Sequence, residues 1–186
     1  MLDARTVRRS TGEALTNLTV RRATQADAAA INDIYNHYVR TSSATFDTVE
    51  MELSDRVEWL LHHGDAHPIL VAEHEGDVVA WGSLSKWASR AAWQHTVEVS
   101  TYVAAPALGR GIGPVLLREL VACARVAGHH ALIAQISADN QPSLKMGERA
   151  GFERVGTLRE VGYKFGRWID LAMLQLILKR DDREGA

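Results

Sequence analysis

The chain has 186 residues, of which 46% are hydrophobic and 24% charged, so it suits one domain with its own core and is short for two. Its formal net charge of −2 gives no basic footprint for nucleic acid, and no apolar run reaches membrane-spanning length. Cys123 is the only cysteine, which excludes an internal disulfide and favours a soluble protein in a reducing, cytoplasmic location.

The two ends of the chain are predicted to lie outside the domain. Residues 1–17 are polar and basic without apolar periodicity, which is typical of a disordered tail, and they lack the apolar core of a signal peptide. Residues 180–186 are charged and predicted to be loose. The folded domain is therefore expected at 18–179.

The first half of this domain is predicted to hold two helices among its strands. In chain order we expect a strand at 18–23, a helix from Thr24 to Val39, a loop at 41–49, a helix that Ser54 caps, and a hairpin of strands at 69–73 and 78–85. Val57, Leu60 and Leu61 are expected to face inward from the second helix. A loop at 86–95 follows.

Residues 97–103 form the next predicted strand, because β-branched and aromatic residues alternate there. The alternation places two sets of side chains on opposite faces: Glu98, Ser100 and Tyr102 on one, and Val97, Val99, Thr101 and Val103 on the other. A carboxylate is thereby placed in a central strand among apolar neighbours, where its burial is costly.

A glycine-rich loop follows this strand and precedes an amphipathic helix at 115–126. The loop reads Leu108-Gly109-Arg110-Gly111-Ile112-Gly113. Glycine permits sharp turns and close approach of a ligand, and a helix N-terminus offers unpaired N–H groups, so the arrangement predicts an anion cradle for phosphate. It is not a dinucleotide fingerprint, since Leu116 replaces the third glycine, and it lacks the lysine of an NTPase phosphate loop.

The remaining predicted elements are a strand at 131–137, a helix from Asn140 to Arg149, and strands at 152–160 and 169–178 joined by a loop at 162–167. The order is strand, two helices, three strands, helix, strand, helix, two strands. It predicts an α/β (α+β) fold with a mixed sheet. The eight histidines show no metal-ligand spacing, so no metal is expected.

The loop resembles the pyrophosphate loop of the GNAT acetyltransferase superfamily, although Leu108 stands where that family usually has a polar residue. Further stretches resemble the phosphinothricin and methionine sulfoximine N-acetyltransferase group: Ile34-Tyr35-Asn36-His37-Tyr38, Trp87-x-x-Arg90-x-Ala92-Trp93, Thr96-x-Glu98, Asp139-Asn140-x-Pro142-Ser143 and Lys164-Phe165-Gly166-Arg167-Trp168-Ile169-Asp170. Together they extend from about residue 18 to residue 178.

This resemblance implies a single-domain GNAT fold, with a mostly antiparallel mixed sheet flanked by helices and splayed between the fourth and fifth strands. It implies acetyl-CoA as co-substrate, a small-molecule amine acceptor and a homodimer. The implied acetyl-CoA site comprises the backbone of Thr101, Tyr102 and Val103, the loop Leu108, Gly109, Arg110, Gly111, Ile112 and Gly113, and Asn140 with Ser143. Asn140 could instead cap its helix, or do both.

Glu98 is implied as the general base, acting through water, because an ammonium acceptor must lose a proton before it attacks. The alternative is an ion pair of Glu98 with Arg90 or a neighbouring strand. The general acid stays unassigned: family members place tyrosine or histidine in the last helix, where this chain reads Leu144-Lys145-Met146-Gly147, and Tyr163 or water could serve.

The acceptor site is expected to include Arg90, which could bind a substrate carboxylate bidentately, and walls from Trp87, Trp93 and Phe46. Val97, Glu98 and Ser100 complete this expected set. A solvated arginine and core aromatic residues are the alternatives. Lys164 and Arg167 could serve a dimer contact or a CoA phosphate.

Three functions are therefore compared. The first is acetyl transfer to the α-amine of a small amino acid, with phosphinothricin, methionine sulfoximine or methionine sulfone as acceptors. The second is acetylation of another amine, such as a polyamine or a protein N-terminus, which predicts an acidic or open groove. The third is a non-catalytic CoA-binding regulatory module, against which Glu98 argues.

Overall fold

A computed structural model describes residues 5–6 and 17–178. Its elements, in chain order, are β1 (Arg5–Thr6), β2 (Leu18–Arg22), α1 (Ala28–Thr41), α2 (Leu53–Leu61), β3 (Ile69–His74), β4 (Asp77–Lys86), β5 (Thr96–Val103), α3 (Ile112–Val126), β6 (Ala131–Ser137), α4 (Gln141–Arg149), β7 (Glu153–Lys164) and β8 (Arg167–Ile177). From β2 onward the predicted order of elements is confirmed, whereas β1, which pairs with β2, was not predicted. β1 falls within the predicted tail 1–17, whose other residues apart from Asn17 lie outside the described ranges, as does 180–186.

The described strands form one sheet in the order β1-β2-β3-β4-β5-β6-β8-β7. All neighbouring pairs are antiparallel except β5 and β6. That parallel pair comprises only Thr96 with Ala131, Val97 with Leu132 and Glu98 with Ile133, after which the strands separate. β5 and β6 are the fourth and fifth predicted strands, so the expected mixed sheet and its splay are confirmed.

The two faces of the sheet have different coverings. Helix α3 packs on β3, β4 and β5, and its fully buried Leu116 and Leu120 belong to the larger core. Helix α1 packs on the opposite face of β4 and β5, where Ile31 and Ile34 join a smaller core. Burial of each such aliphatic side chain contributes about 1.5–3 kcal/mol. Within the described ranges, no helix is both long and apolar enough to cross a lipid bilayer.

Helix α2 differs from its prediction. It begins at Leu53 with Glu52 as N-cap rather than Ser54, and Leu61, expected inside, is 68% exposed. Arg56, one turn into the helix, is instead 2% exposed. The reason is tertiary: the guanidinium lies over aromatic rings of α1, α2 and β4, which a helical periodicity cannot reveal.

Two further boundaries differ. Helix α3 begins at Ile112 rather than residue 115, so the end of the glycine-rich loop forms its first turn. The predicted loop at 162–167 is a tight hairpin in which Lys164 pairs with Arg167. Phe165 and Gly166 turn the chain there with φ of 53° and 73°, as two-residue hairpin turns require.

The segment between α1 and α2 is held in place by polar contacts rather than by secondary structure. Asn36 exchanges two hydrogen bonds with the backbone of Met51, at 2.9 and 3.0 Å. Ser43 donates to Asp139, whose other partners Ser137 and Arg167 help to lower the pKa of its carboxyl to about 2. This segment can therefore serve as a fixed wall.

Lys164 is the central contact of this wall. It is 5% exposed, and its Nζ donates to the carbonyl oxygens of Ser42 and Thr45 at 2.8 Å each and to that of Tyr38 at 3.5 Å. The Lys164 ammonium thereby supplies hydrogen-bond donors to backbone carbonyl groups at the end of α1 and at the start of the segment that follows it. Lys164 has a structural role in this chain, and Arg167 pairs with Asp139.

We expect Lys164→Met to destabilise the protein by about 2 kcal/mol or more, because it leaves buried carbonyl groups without their charged donor. Chemical denaturation measures the free energy of unfolding, and Lys145→Met, at an exposed position of α4, is the control. Equal stability of the two variants would contradict the role assigned to Lys164.

Candidate active site

A cavity of about 360 Å³ lies between the α1–α2 side of the molecule and the sheet. Its floor is formed by side chains of three neighbouring strands that face the α1–α2 side of the sheet. They are Trp81, Ser83 and Ser85 of β4, Glu98, Ser100 and Tyr102 of β5, and Gln135 and Ser137 of β6. The β4 and β5 residues face each other in register, Trp81 with Tyr102, Ser83 with Ser100 and Ser85 with Glu98. The floor is therefore three cross-strand pairs long, aromatic at one end and carboxylate-bearing at the other.

Glu98 faces this cavity beside the point where β5 and β6 separate. Its neighbours Val97 and Val99 are buried on the opposite face, so the predicted alternation is confirmed. Burial raises the pKa of the Glu98 carboxyl, and a hydrogen bond with Gln135 opposes the shift. Glu98 forms no ion pair with any residue of the described ranges, Arg90 included. A half-buried carboxylate with a raised pKa is suited to accept a proton.

The residues expected around the acceptor separate into two groups. Phe46 and Ser100 line the cavity together with Glu98. Val97 does not, because the strand alternation turns it into the core, where it is 0% exposed. Trp87, Arg90 and Trp93 are not among the lining residues either.

Their segment, residues 87–95, is largely exposed: Arg90 is at the surface and Trp93 is 45% exposed. Sequence placed these three residues in a loop next to β5, but the direction of a loop depends on tertiary contacts. In this chain the structure does not bring them to the cavity.

Phe46 is fixed by the close approach of β7. A Cβ at Gly162 would lie 2.4 Å from the Phe46 ring, so that position accommodates only glycine without displacing the ring. Thr45, next to Phe46, accepts or donates a 2.8 Å hydrogen bond with Tyr35. The wall of the cavity is thus built from three parts of the chain.

Several lining residues are not among those predicted from the sequence. Ser83, Ser85, Gln135 and Ser137 are polar side chains at every second position of otherwise apolar strands, and this period-two signal could have identified them. Arg56 had no such signal. On a helix with apolar neighbours, an arginine is ordinarily assigned to the solvent-facing side.

The glycine-rich loop has the geometry of an anion cradle. Gly109 and Gly111 adopt φ of 75° and 78°, and an added Cβ at either would meet open space, which leaves room for a ligand. Gly111 is the N-cap of α3, so the N–H groups of its first turn have no helical partner. Leu108 and Arg110 are exposed, whereas Ile112 and Gly113 are buried. The loop therefore fits a pyrophosphate bound by backbone N–H groups and the helix dipole.

The backbone of β5 beyond Glu98 is paired with β4 on one side and has no ladder with β6 on the other. Thr101, Tyr102 and Val103 lie in this stretch, and the Tyr38 hydroxyl donates to the Val103 carbonyl oxygen. The expected capping by Asn140 is confirmed: its Oδ1 accepts from the Ser143 N–H at 3.3 Å. That contact uses the acceptor end of the Asn140 amide.

The structure assigns no general acid. A Cβ at Gly147 would lie 2.8 Å from a Leu174 methyl, since α4 packs closely on β8. Tyr163 is 58% exposed, lies against Trp168 and is absent from the cavity lining. The described residues contain no cluster of histidine, cysteine or carboxylate side chains placed to hold a metal ion.

Comparison with known proteins shows the family of this chain. Residues 20–173 match the acetyltransferase (GNAT) domain family. Among curated relatives, the L-amino acid N-acyltransferase MnaT of Escherichia coli is 38% identical, over 87% of this chain and 94% of the relative. The L-methionine sulfoximine/L-methionine sulfone acetyltransferase of Salmonella typhimurium is 36% identical, over 87% and 95%. A phosphinothricin N-acetyltransferase of Alcaligenes faecalis is 37% identical, over 88% and 84%.

Solved structures extend the comparison to the fold. The acetyltransferase yncA of Salmonella typhimurium, determined with its cofactor acetyl-CoA, superposes with a TM-score of 0.86 at 35% identity, covering 91% of this chain and 98% of that one. A ribosomal-protein-alanine N-acetyltransferase of Brucella melitensis gives 0.84 at 43% identity, over 86% and 99%. The resemblance drawn from the sequence is confirmed. The chain belongs to the GNAT acetyltransferase family and is an acetyl-CoA-dependent N-acetyltransferase.

Proposed function

We propose that this enzyme acetylates the α-amine of a small amino acid or analogue, namely phosphinothricin, methionine sulfoximine or methionine sulfone, with Glu98 as the general base. The names of the curated relatives support the acceptor class. The observation that carries the role of Glu98 is its position: it is the only acidic side chain among the described residues that line the cavity. It also lies where β5 leaves β6.

In this mechanism, bound acetyl-CoA supplies the thioester whose carbonyl carbon the amine attacks. Glu98 accepts a proton from the acceptor ammonium through a water molecule, which exposes the nitrogen lone pair. A backbone N–H of β5 in the unpaired stretch polarises the carbonyl oxygen. The C–N bond forms to give a tetrahedral adduct, and its collapse breaks the C–S bond. The sulfur leaves as a thiolate and becomes the CoA thiol by taking, through water, the second proton that the attacking nitrogen loses.

The same proposal assigns the acetyl-CoA contacts. The backbone of Thr101, Tyr102 and Val103 pairs with the pantetheine arm as an added strand would. The loop 108–113 holds the pyrophosphate through the N–H groups of residues 109–113, since the Leu108 N–H donates to the Ala105 carbonyl oxygen at 3.3 Å. Asn140 contacts the arm through the amide NH₂ that its helix cap leaves over, and Ser143 lies beside it.

We expect Glu98→Gln to lower kcat by about 10²- to 10⁴-fold, which is the range for loss of a general base. Thiol release from acetyl-CoA with methionine sulfone as acceptor measures the rate, and calorimetric titration measures acetyl-CoA affinity. The affinity should be unchanged because Glu98 is outside the assigned acetyl-CoA contacts. A variant that keeps its rate would exclude Glu98 as base.

Glu98 should also make stability depend on pH. Its pKa is raised in the folded state, so the folded chain binds more protons than the unfolded chain between the two pKa values, and stability falls as pH rises through that window. At pH values above the pKa of Glu98 in the folded chain, Glu98→Gln should therefore have a higher Tm than wild type. At pH values below the pKa of Glu98 in the unfolded chain, the two proteins should have the same Tm. Thermal melts from pH 4 to pH 8 test this. A constant Tm difference across the range would contradict it.

A homodimer is part of the proposal. Strand β7 is the last strand of the described sheet and leaves one edge unpaired. The β7–β8 hairpin exposes a set of large apolar side chains: Val155, Leu158, Val161, Tyr163, Phe165 and Trp168. Exposed apolar edge strands promote association. In a symmetric dimer the same surface of both subunits is buried, so no copy of it is left to bind further chains. A second copy of this chain is the occupant we assign to this surface.

We expect Trp168→Glu to convert the dimer to a monomer, since it places a charge within the apolar surface assigned to the interface. Trp168 is 60% exposed in a single chain, so the fold should tolerate the change. Sedimentation velocity measures the mass. Val126→Glu, at a position 83% exposed on α3, is the control and should remain dimeric. A monomeric wild type would refute the homodimer.

A second acceptor class is considered because the Brucella melitensis relative is named for ribosomal-protein alanine. A protein N-terminus needs an open groove. The cavity of this chain has a single arginine and a single carboxylate among its lining side chains, which favours a small zwitterion. Acetylation of a panel of amino-acid analogues, polyamines and N-terminal alanine peptides separates the classes.

A cytoplasmic location is also proposed, in agreement with the free, buried Cys123.

A further inference from the structure

Arg56 is a buried cation that α2 carries into the cavity wall. It is 2% exposed and lines the cavity. Its guanidinium carbon lies 4.7 Å from the ring centroids of Tyr35 and Trp59 and 5.5 Å from that of Trp81. The three rings stabilise the positive charge through their π faces and fix its position.

The hydrogen-bonding capacity of this guanidinium is mostly unused. Its Nε donates to Asn32 Oδ1 at 3.4 Å, and its Nη2 has no partner among the described residues. The indole Nε1 of Trp81, which also lines the cavity, is likewise buried without a described partner. Buried donors are nearly always satisfied by protein or by ordered water, so two donors without a protein partner around the same cavity mark a place for an acceptor, either water or a ligand.

The positive charge is also uncompensated. No described carboxylate forms an ion pair with Arg56. Asp47 is the nearby acid that acts on the Arg56 charge, and it accepts a 2.6 Å hydrogen bond from the Tyr35 hydroxyl instead. Burial lowers the pKa of the Arg56 guanidinium, but an arginine with an ordinary pKa above 12 keeps its charge at neutral pH. A buried arginine without a counter-ion is typical of an anion site.

The floor of the cavity places this charge opposite Glu98. Arg56 lies over the Trp81–Tyr102 end, Glu98 and Ser85 form the other end, and Ser83 with Ser100 lies between them. Successive pairs on one face are about 7 Å apart along the strands. A small zwitterion over the central pair therefore reaches Glu98 through a water molecule on one side and the guanidinium on the other.

We propose that Arg56, assisted by the Trp81 indole N–H, binds the carboxylate of the acceptor and makes this enzyme selective for anionic amines. The assignment rests on the proposed function. It replaces Arg90 in the role that the sequence suggested, since Arg90 is exposed and outside the cavity. A guanidinium matches a carboxylate through two parallel N–H donors, which an ammonium cannot reproduce.

The test compares kcat/KM for methionine sulfone and for its decarboxylated amine, which lacks only the carboxylate. Wild type should prefer the amino acid by roughly 30- to 1000-fold, the range for removing one partner of a buried charged pair. Arg56→Met should lower kcat/KM for methionine sulfone by a similar factor, mainly through KM, and change the decarboxylated amine by less than about threefold. The kcat/KM of Arg56→Lys for methionine sulfone should lie between those of wild type and Arg56→Met. Arg118→Met, at a solvent-facing position of α3, is the matched control and should behave as wild type.

Three outcomes would overturn the inference. They are an equal fall for both acceptors in Arg56→Met, a wild type indifferent to the carboxylate, and loss of the preference in Arg90→Met alone. Thermal melts and acetyl-CoA affinity check that each variant is folded, and if Arg56→Met is not, the wild-type preference and Arg56→Lys decide. A wild type that acetylates no acceptor refutes the proposed function instead. Calorimetric titration of the two compounds into the wild-type acetyl-CoA complex then still decides whether the cavity selects the carboxylate.

Discussion

The structure depends on the short parallel pairing of β5 with β6. Three residue pairs join the strands, and the pairing ends at Glu98 and Ile133. Because the strands diverge there, the backbone of β5 is left open for a ligand, and the side chains on one face of three strands border a single cavity. The catalytic carboxylate that we propose lies at this point of divergence. In the proposed mechanism, the same backbone feature therefore positions both substrates.

A second constraint is the charge distribution on the cavity wall. Among the described residues, the floor carries one carboxylate, Glu98, and the wall above its aromatic end carries one cation, Arg56, which is held by ring faces rather than by a counter-ion. Leaving Arg56 unpaired is costly for folding in the absence of a ligand. Proteins retain such groups at sites that bind a partner of opposite charge, because the interaction missing in the free chain is supplied by the substrate. In the function that we propose, cavity and acceptor are complementary in charge.

The wall between α1 and α2 has no regular structure, so its position comes from side chains. Lys164 reaches it from β7, Asp139 from the turn after β6, and Asn36 from α1. Each contact joins segments distant in sequence. A loop held at three points can present Phe46 and Thr45 to the substrate with little loss of entropy on binding. The closeness of Gly162 to Phe46 belongs to the same arrangement.

The amino-acid sequence by itself determined the element order, the mixed sheet, the glycine-rich loop before α3 and the face that Glu98 occupies. Period-two and period-3.6 patterns, glycine positions and matched motifs are local, and they specify local structure and family. The tertiary structure alone decided that Arg56 is buried over three rings, that Lys164 holds the α1–α2 segment, and that none of residues 87–95 lines the cavity. Arg56 and Trp81 are 25 positions apart in the chain, and Lys164 and Thr45 are 119 apart. Whether a charged side chain is solvated or buried depends on such distant neighbours, which no local pattern encodes.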